Sequence, residues 1–166
     1  MPIPIGGPLG IDPRVDIVFH AVFADPAHEA VRIDFLSAVF GLRLLEAQVV
    51  SPYSHRDFSE AKGMVVDVRA RDDQGRLYLI EMQRRMMPDL PQRMLCGWAK
   101  TYAAQLERGD PYGKLRPVLS VWVCEADPFP DAEPAQLTFQ VRDAAGRLLH
   151  PDLRIEVLQL RRWARH

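Results

Sequence analysis

The chain has 166 residues, of which 48% are hydrophobic and 26% charged. That excludes a disordered chain, a collagen-like fibre and a coiled coil, and it supplies enough apolar material for the core of a single domain. With 21 basic and 22 acidic side chains the net charge is −1, unlike a general nucleic-acid binder, which is usually basic overall. Charge is uneven along the chain: residues 1–83 carry 8 basic and 12 acidic groups, residues 84–166 carry 13 and 10. An acidic site facing a basic wall would suit that split, and so would a mixed, solvated surface. No window approaches the roughly 18 consecutive apolar residues of a membrane span. The start, Met1-Pro2-Ile3-Pro4-Ile5-Gly6-Gly7-Pro8, has neither the basic nor the apolar part of a signal peptide. A cytoplasmic protein without membrane contact is expected, with residues 1–11 as a tail and 12–166 as one domain. Cys96 and Cys124 lie apart in apolar surroundings, so zinc and disulfides have no support and two buried, reduced thiols are expected.

In chain order, Asp12-Pro13 and Asp25-Pro26 use one device twice. Asp accepts hydrogen bonds from the free N–H groups of a helix start, and Pro at the first helical position has no N–H to orphan. Val15, Val18, Phe19, Val22 and Phe23 then recur at helical spacing, as do Val31, Phe35, Leu36, Val39 and Phe40 up to Gly41. Residues 44–51 read as a strand and 52–60 as a loop. The best hairpin signal joins 63–71 to 76–84 through Asp72-Asp73-Gln74-Gly75. A helix is predicted over 90–108, with Leu95, Trp98, Tyr102 and Leu106 on its apolar stripe and Gly109 as its stop. Val118–Cys124 has almost no polar residue, as a strand buried on both faces requires. The proline-rich stretch 127–134 is a loop, and strands over 136–142 and 153–160 flank Gly146. Val68-Arg69 to Gly75-Arg76-Leu77 is similar to Val141-Arg142 to Gly146-Arg147-Leu148, which reads as shared turn chemistry and not as a repeat. The order α-α-β-β-β-α-β-β-β points to an α/β fold, a mixed β-sheet flanked by helices.

The hairpin has geometric content. Side chains alternate along a strand, so Leu77, Leu79, Glu81 and Gln83 share a face. A three-residue turn, Asp73-Gln74-Gly75, would put Gly at the left-handed position this loop prefers. Paired numbers then sum to 148, and Asp67 falls opposite Glu81 on the same face. A two-residue turn would separate the two carboxylates. Acids brought together in apolar strands repel unless a divalent cation, a shared proton or an Arg neutralises them. Oxygen ligands completed by water suit Mg²⁺ or Mn²⁺. Spacing alone favours the plainer alternative, two exposed acids paired with Arg69 and Arg71.

Several blocks carry a resemblance: Asp-Ile-Val-Phe-His-Ala-Val-Phe (16–23), Val-Val-Asp-Val-Arg-Ala (65–70), Gly-Arg-Leu-Tyr-Leu-Ile-Glu-Met-Gln (75–83), Arg93, and the spaced set Tyr102, Gln105, Leu106, Gly109 and Tyr112. Over roughly residues 14–163 the chain resembles the PD-(D/E)XK nuclease family transposases, the recombination-promoting nuclease group. The resemblance implies a restriction-endonuclease-like core and Mg²⁺-dependent cleavage of DNA, with Mn²⁺ as the alternative ion. Asp67 and Glu81 would hold the metal, helped by the main-chain carbonyl of Met82. Gln83 stands where the wider superfamily usually has Lys. A neutral amide orients the attacking water but neither supplies positive charge nor takes its proton, so more of the work falls to the metal. The family's first block usually reads Asp-x-x-Phe-Lys; here Asp16 is kept, while His20 replaces a fixed charge by a mostly neutral imidazole. Asp16, His20 and Gln105 are the accessory candidates, and Arg84, Arg85 and Arg93 the candidates for contacts to DNA phosphates.

Two rivals stand beside a nuclease. His20 and Gln83 favour a degenerate member that binds DNA or protein without cutting, and the near-zero net charge favours an interaction module with no nucleic acid. His28 and His55 read as surface residues. Ser51, Ser54 and Ser59 lack a nucleophile elbow, and Gly6, Gly7 and Gly10 lack a phosphate loop. Cleavage of both DNA strands needs two sites, which a homodimer would supply.

Overall fold

A computed structural model describes residues 16–50 and 68–163, with the side chains of the first helix from Val18 onward. The Asp12-Pro13 cap, the 52–60 loop, His55, the three serines and residues 63–67 of the first hairpin arm, Asp67 among them, lie outside the described residues. The elements are α1 (Asp16–Ala24), α2 (Glu29–Phe40), β1 (Gln48–Val49), β2 (Val68–Arg71), β3 (Leu77–Gln83), α3 (Leu90–Ala103), β4 (Val118–Cys124), β5 (Gln136–Phe139), β6 (Leu153–Gln159) and α4 (Leu160–Trp163). This is the expected order with a short α4 added. The strands form one sheet in the order β1-β2-β3-β4-β6-β5. Its centre, β3-β4-β6, is parallel, and β1, β2 and β5 join antiparallel, so the sheet is mixed.

Alternation sorts the core into two layers. Tyr78, Ile80 and Met82 of β3, with Val68, Ala70, Leu119, Val121 and Val123, pack against Phe19 of α1 and Leu36, Val39 and Phe40 of α2. The opposite face presents Leu79, Val118, Trp122, Cys124, Ile155 and Val157 to Leu90, Met94, Trp98 and Tyr102 of α3. Every residue of β4 is buried, as a strand covered on both faces must be. Under α2, fully buried Glu156 accepts hydrogen bonds from Gln136, Thr138 and Arg154. A buried charge paired in this way is tolerated where an unpaired one would be costly. Burial also pushes the Cys124 thiol up to about 12.

Four expectations need correction. The strand read over 44–51 forms a ladder only at Gln48–Val49. Before it, α2 takes the place of a neighbouring strand: the Glu29 Oε1 accepts from the Ala47 N–H at 2.9 Å, and the Arg32 Nε donates to the Ala47 carbonyl at 2.9 Å. Second, α3 ends at Ala103, six residues before Gly109, in tightened turns where Gln105 and Leu106 bond carbonyls three residues back. Third, its buried stripe is Leu90, Met94, Gly97 and Thr101, and Leu95 is 55% exposed. Trp98 and Tyr102 stack beside this stripe with ring centroids 4.7 Å apart. Fourth, Cys96 sits on the outer side of α3 and is exposed.

Candidate active site on the β2–β3 hairpin

The site is placed by a turn. Gly75 adopts φ +79°, its N–H donates to the Asp72 carbonyl at 3.0 Å, and the Asp72 N–H donates to the Arg76 carbonyl at 3.2 Å. The Asp72 carboxylate is buried inside the loop. Its Oδ1 accepts from the N–H groups of Gln74 and Arg76, and its Oδ2 from the Arg76 Nε at 2.6 Å and the Tyr78 hydroxyl at 2.8 Å. This is the three-residue turn with glycine at the left-handed position. The described pairs, Val68 with Ile80, Arg69 with Leu79, Ala70 with Tyr78 and Arg71 with Leu77, all sum to 148. Arg69 and Arg71 therefore share the α3-facing side with Leu77, Leu79, Glu81 and Gln83.

Glu81 is 7% exposed and pairs in register with Trp122 of β4. The alternative of a solvated surface acid is therefore excluded for Glu81. The neighbouring Arg69 is partly buried; loss of water lowers its pKa, and the charge of Glu81 opposes that shift. The Met82 side chain points to the opposite layer and is buried there. The Gln83 Nε2 donates to the Arg85 carbonyl. Among the described residues no three His, Cys, Asp or Glu side chains converge as a metal cluster. A carboxylate with a main-chain carbonyl beside it is nonetheless the hard-oxygen donor chemistry that suits Mg²⁺ or Mn²⁺.

Beyond Gln83 the parallel strands open into a basin of about 630 Å³. Gln83, Arg84, Arg85 and Arg93 line it, together with Glu125 and Arg161. The last two follow the carboxyl ends of β4 and β6, where crevices form in sheets of this kind. Reading those three parallel strand ends together is the signal that could have found them. Arg84 approaches Glu125 at 3.5 Å, and both are partly exposed. Two of the accessory candidates, His20 and Gln105, do not line this basin. His20 is exposed on α1, whose Phe19 packs on the other face of the sheet. The Asp16 side chain is outside the described residues. Gln105 bonds both backbone groups of Arg116, at 2.9 and 3.0 Å, and lines a different cavity.

A six-stranded mixed sheet between helices, with Glu81 and Gln83 on one face of its hairpin, is an α/β restriction-endonuclease-like fold. The family model of the PD-(D/E)XK nuclease family transposases matches residues 13–166, and the chain belongs to that family. No curated protein and no solved structure matches it. No helix among the described residues is long and apolar enough to cross a membrane.

Proposed function

We propose that the chain is a metal-dependent endonuclease that hydrolyses phosphodiester bonds in DNA. The observation that carries this reading is Glu81, 7% exposed on the α3-facing side of β3, two residues before the strand end that opens into the arginine-lined basin. Mg²⁺ or Mn²⁺ held there by Asp67, Glu81 and the Met82 carbonyl would lower the pKa of a bound water and offset charge on the phosphate. Burial of Glu81 restricts its rotamers, so its oxygens are oriented in advance. With its Nε2 committed to Arg85, Gln83 keeps its Oε1 to accept from a water and orient it. Arg84, Arg85, Arg93 and Arg161 line the adjacent basin with positive charge for the DNA backbone.

A second reading is a DNA-binding member that does not cut. It is favoured by the amide at Gln83, which supplies no charge, and by His20 standing exposed on α1. Nicking of supercoiled plasmid with Mg²⁺ or Mn²⁺, beside Asp67→Ala and Glu81→Ala, separates the two. Nuclease action predicts cutting that both substitutions reduce to background. Cutting that survives them removes the assignment of the site. Absence of cutting with salt-sensitive DNA binding establishes the second reading.

A further inference from the structure

We propose that a second cavity, at the turn end of the hairpin, binds one phosphorylated nucleotide unit independently of the Glu81 site. It encloses about 420 Å³ between β2, β3, the end of α3 and the loop at 114–116, a volume within the range of small-ligand sites. Its floor is apolar, with Leu77 and Leu79 facing α3, and its wall carries Arg69, Arg71, Lys114 and Arg116, with Glu107 the one acid among the described lining residues. Lys114 is engaged by Asp110 at 2.9 Å. Arg71 and Arg116 have no carboxylate partner among the described residues.

One further feature points to a ligand. Arg116 is set in place beforehand. Gln105 clamps its backbone, and its side chain runs beside Gly75, where a Cβ would stand 3.6 Å from it. Guanidinium groups over an apolar floor fit a phosphate joined to a flat or sugar-like body. Arg71 pairs with Leu77, which is four residues from Glu81 on β3, about 13 Å at strand rise, so a phosphate held at the Arg71 end of the cavity is not one held at Glu81.

The phosphate could belong to a free nucleoside monophosphate or to one nucleotide of a DNA strand. The test is titration of the full chain with thymidine monophosphate by calorimetry, with inorganic phosphate and oligothymidylate as competitors. Saturable binding is expected, weaker by about tenfold or more in Arg71→Ala and Arg116→Ala, largely kept in Arg116→Lys, and unchanged or tighter in Glu81→Gln. Both arginines are exposed, and a melting curve checks that each variant folds. Competition by oligothymidylate assigns the nucleotide to a strand; its failure beside competition by inorganic phosphate assigns it to a free nucleotide. Absence of saturable binding, binding indifferent to the Arg71→Ala/Arg116→Ala pair, or its loss in Glu81→Gln overturns the proposal. The last result leaves the nuclease reading standing, because that reading is judged by plasmid cutting alone.

Discussion

Two turns in this chain share one sequence plan and differ in burial. Asp72 to Arg76 and Asp143 to Arg147 both read Asp-x-x-Gly-Arg. In each the glycine has positive φ, +79° and +82°. In each the Asp Oδ1 accepts from the backbone N–H groups two and four residues on, and the arginine turns back toward the carboxylate. The first lies against the core, with its arginine at 2.6 Å and the Tyr78 hydroxyl as a further donor. The second stands in solvent, with the Arg147 side chain 82% exposed and its ion pair at 3.4 Å. The local code makes the turn in both places. Only burial makes the turn matter for stability and for the placement of Glu81.

The largest effect that tests this contrast is Asp72→Ala, which would strand a partly buried guanidinium and a buried hydroxyl. A loss of about 3–5 kcal/mol in urea unfolding is expected, and a loss under about 1 kcal/mol would break the comparison. Gly75→Ala and Gly146→Ala should each cost about 1–2 kcal/mol, because the left-handed strain is local and independent of burial. Unequal costs would show that packing on Arg116 enters at Gly75. Tyr78→Phe removes one donor to Asp72 and should cost about 1–1.5 kcal/mol.

The same hydroxyl gives a pH signature. Burial and a carboxylate neighbour raise the pKa of Tyr78, and they push that of Tyr102, bonded to Asp152, up to about 12. A folded pKa above the unfolded value near 10 contributes stability that is full below about pH 10 and is lost as pH rises toward about 12. Unfolding followed over that window should steepen, and Tyr78→Phe should flatten part of the slope. Asp143→Ala is the smallest effect, within about 1 kcal/mol, since an exposed pair is worth little.

Much of the architecture was legible because it rests on short-range rules. Asp25 accepts from the Ala27 N–H at 2.8 Å and Gly41 stops α2 at φ +63°, both where capping logic puts them. The hairpin register followed from one glycine, and with it the face shared by Glu81 and Gln83. What escaped depends on contacts between distant parts of the chain. The length of β1 is set by Glu29 and Arg32 from α2, and the buried stripe of α3 by the packing of Leu90 and Met94 on Trp122, Ile155 and Val157. Glu125 and Arg161 enter the basin only once the parallel strand ends are aligned. Gln105, legible as a conspicuous amide, serves the backbone of Arg116 and not the basin.

The clasp made by α2 has its own consequence. Arg32, almost wholly buried, reaches the carbonyls of Ala47, Phe23 and Asp25, while Glu29 takes the N–H of Ala47. All four contacts are to main-chain atoms, which every substitution leaves in place. Leu45 and Glu46, both exposed just before the clasp, are thus free to drift over evolutionary time without moving in space. A saturation library should show tolerance at these two positions beside near-complete intolerance at Arg32 and at Ala47, which is wholly buried in the core.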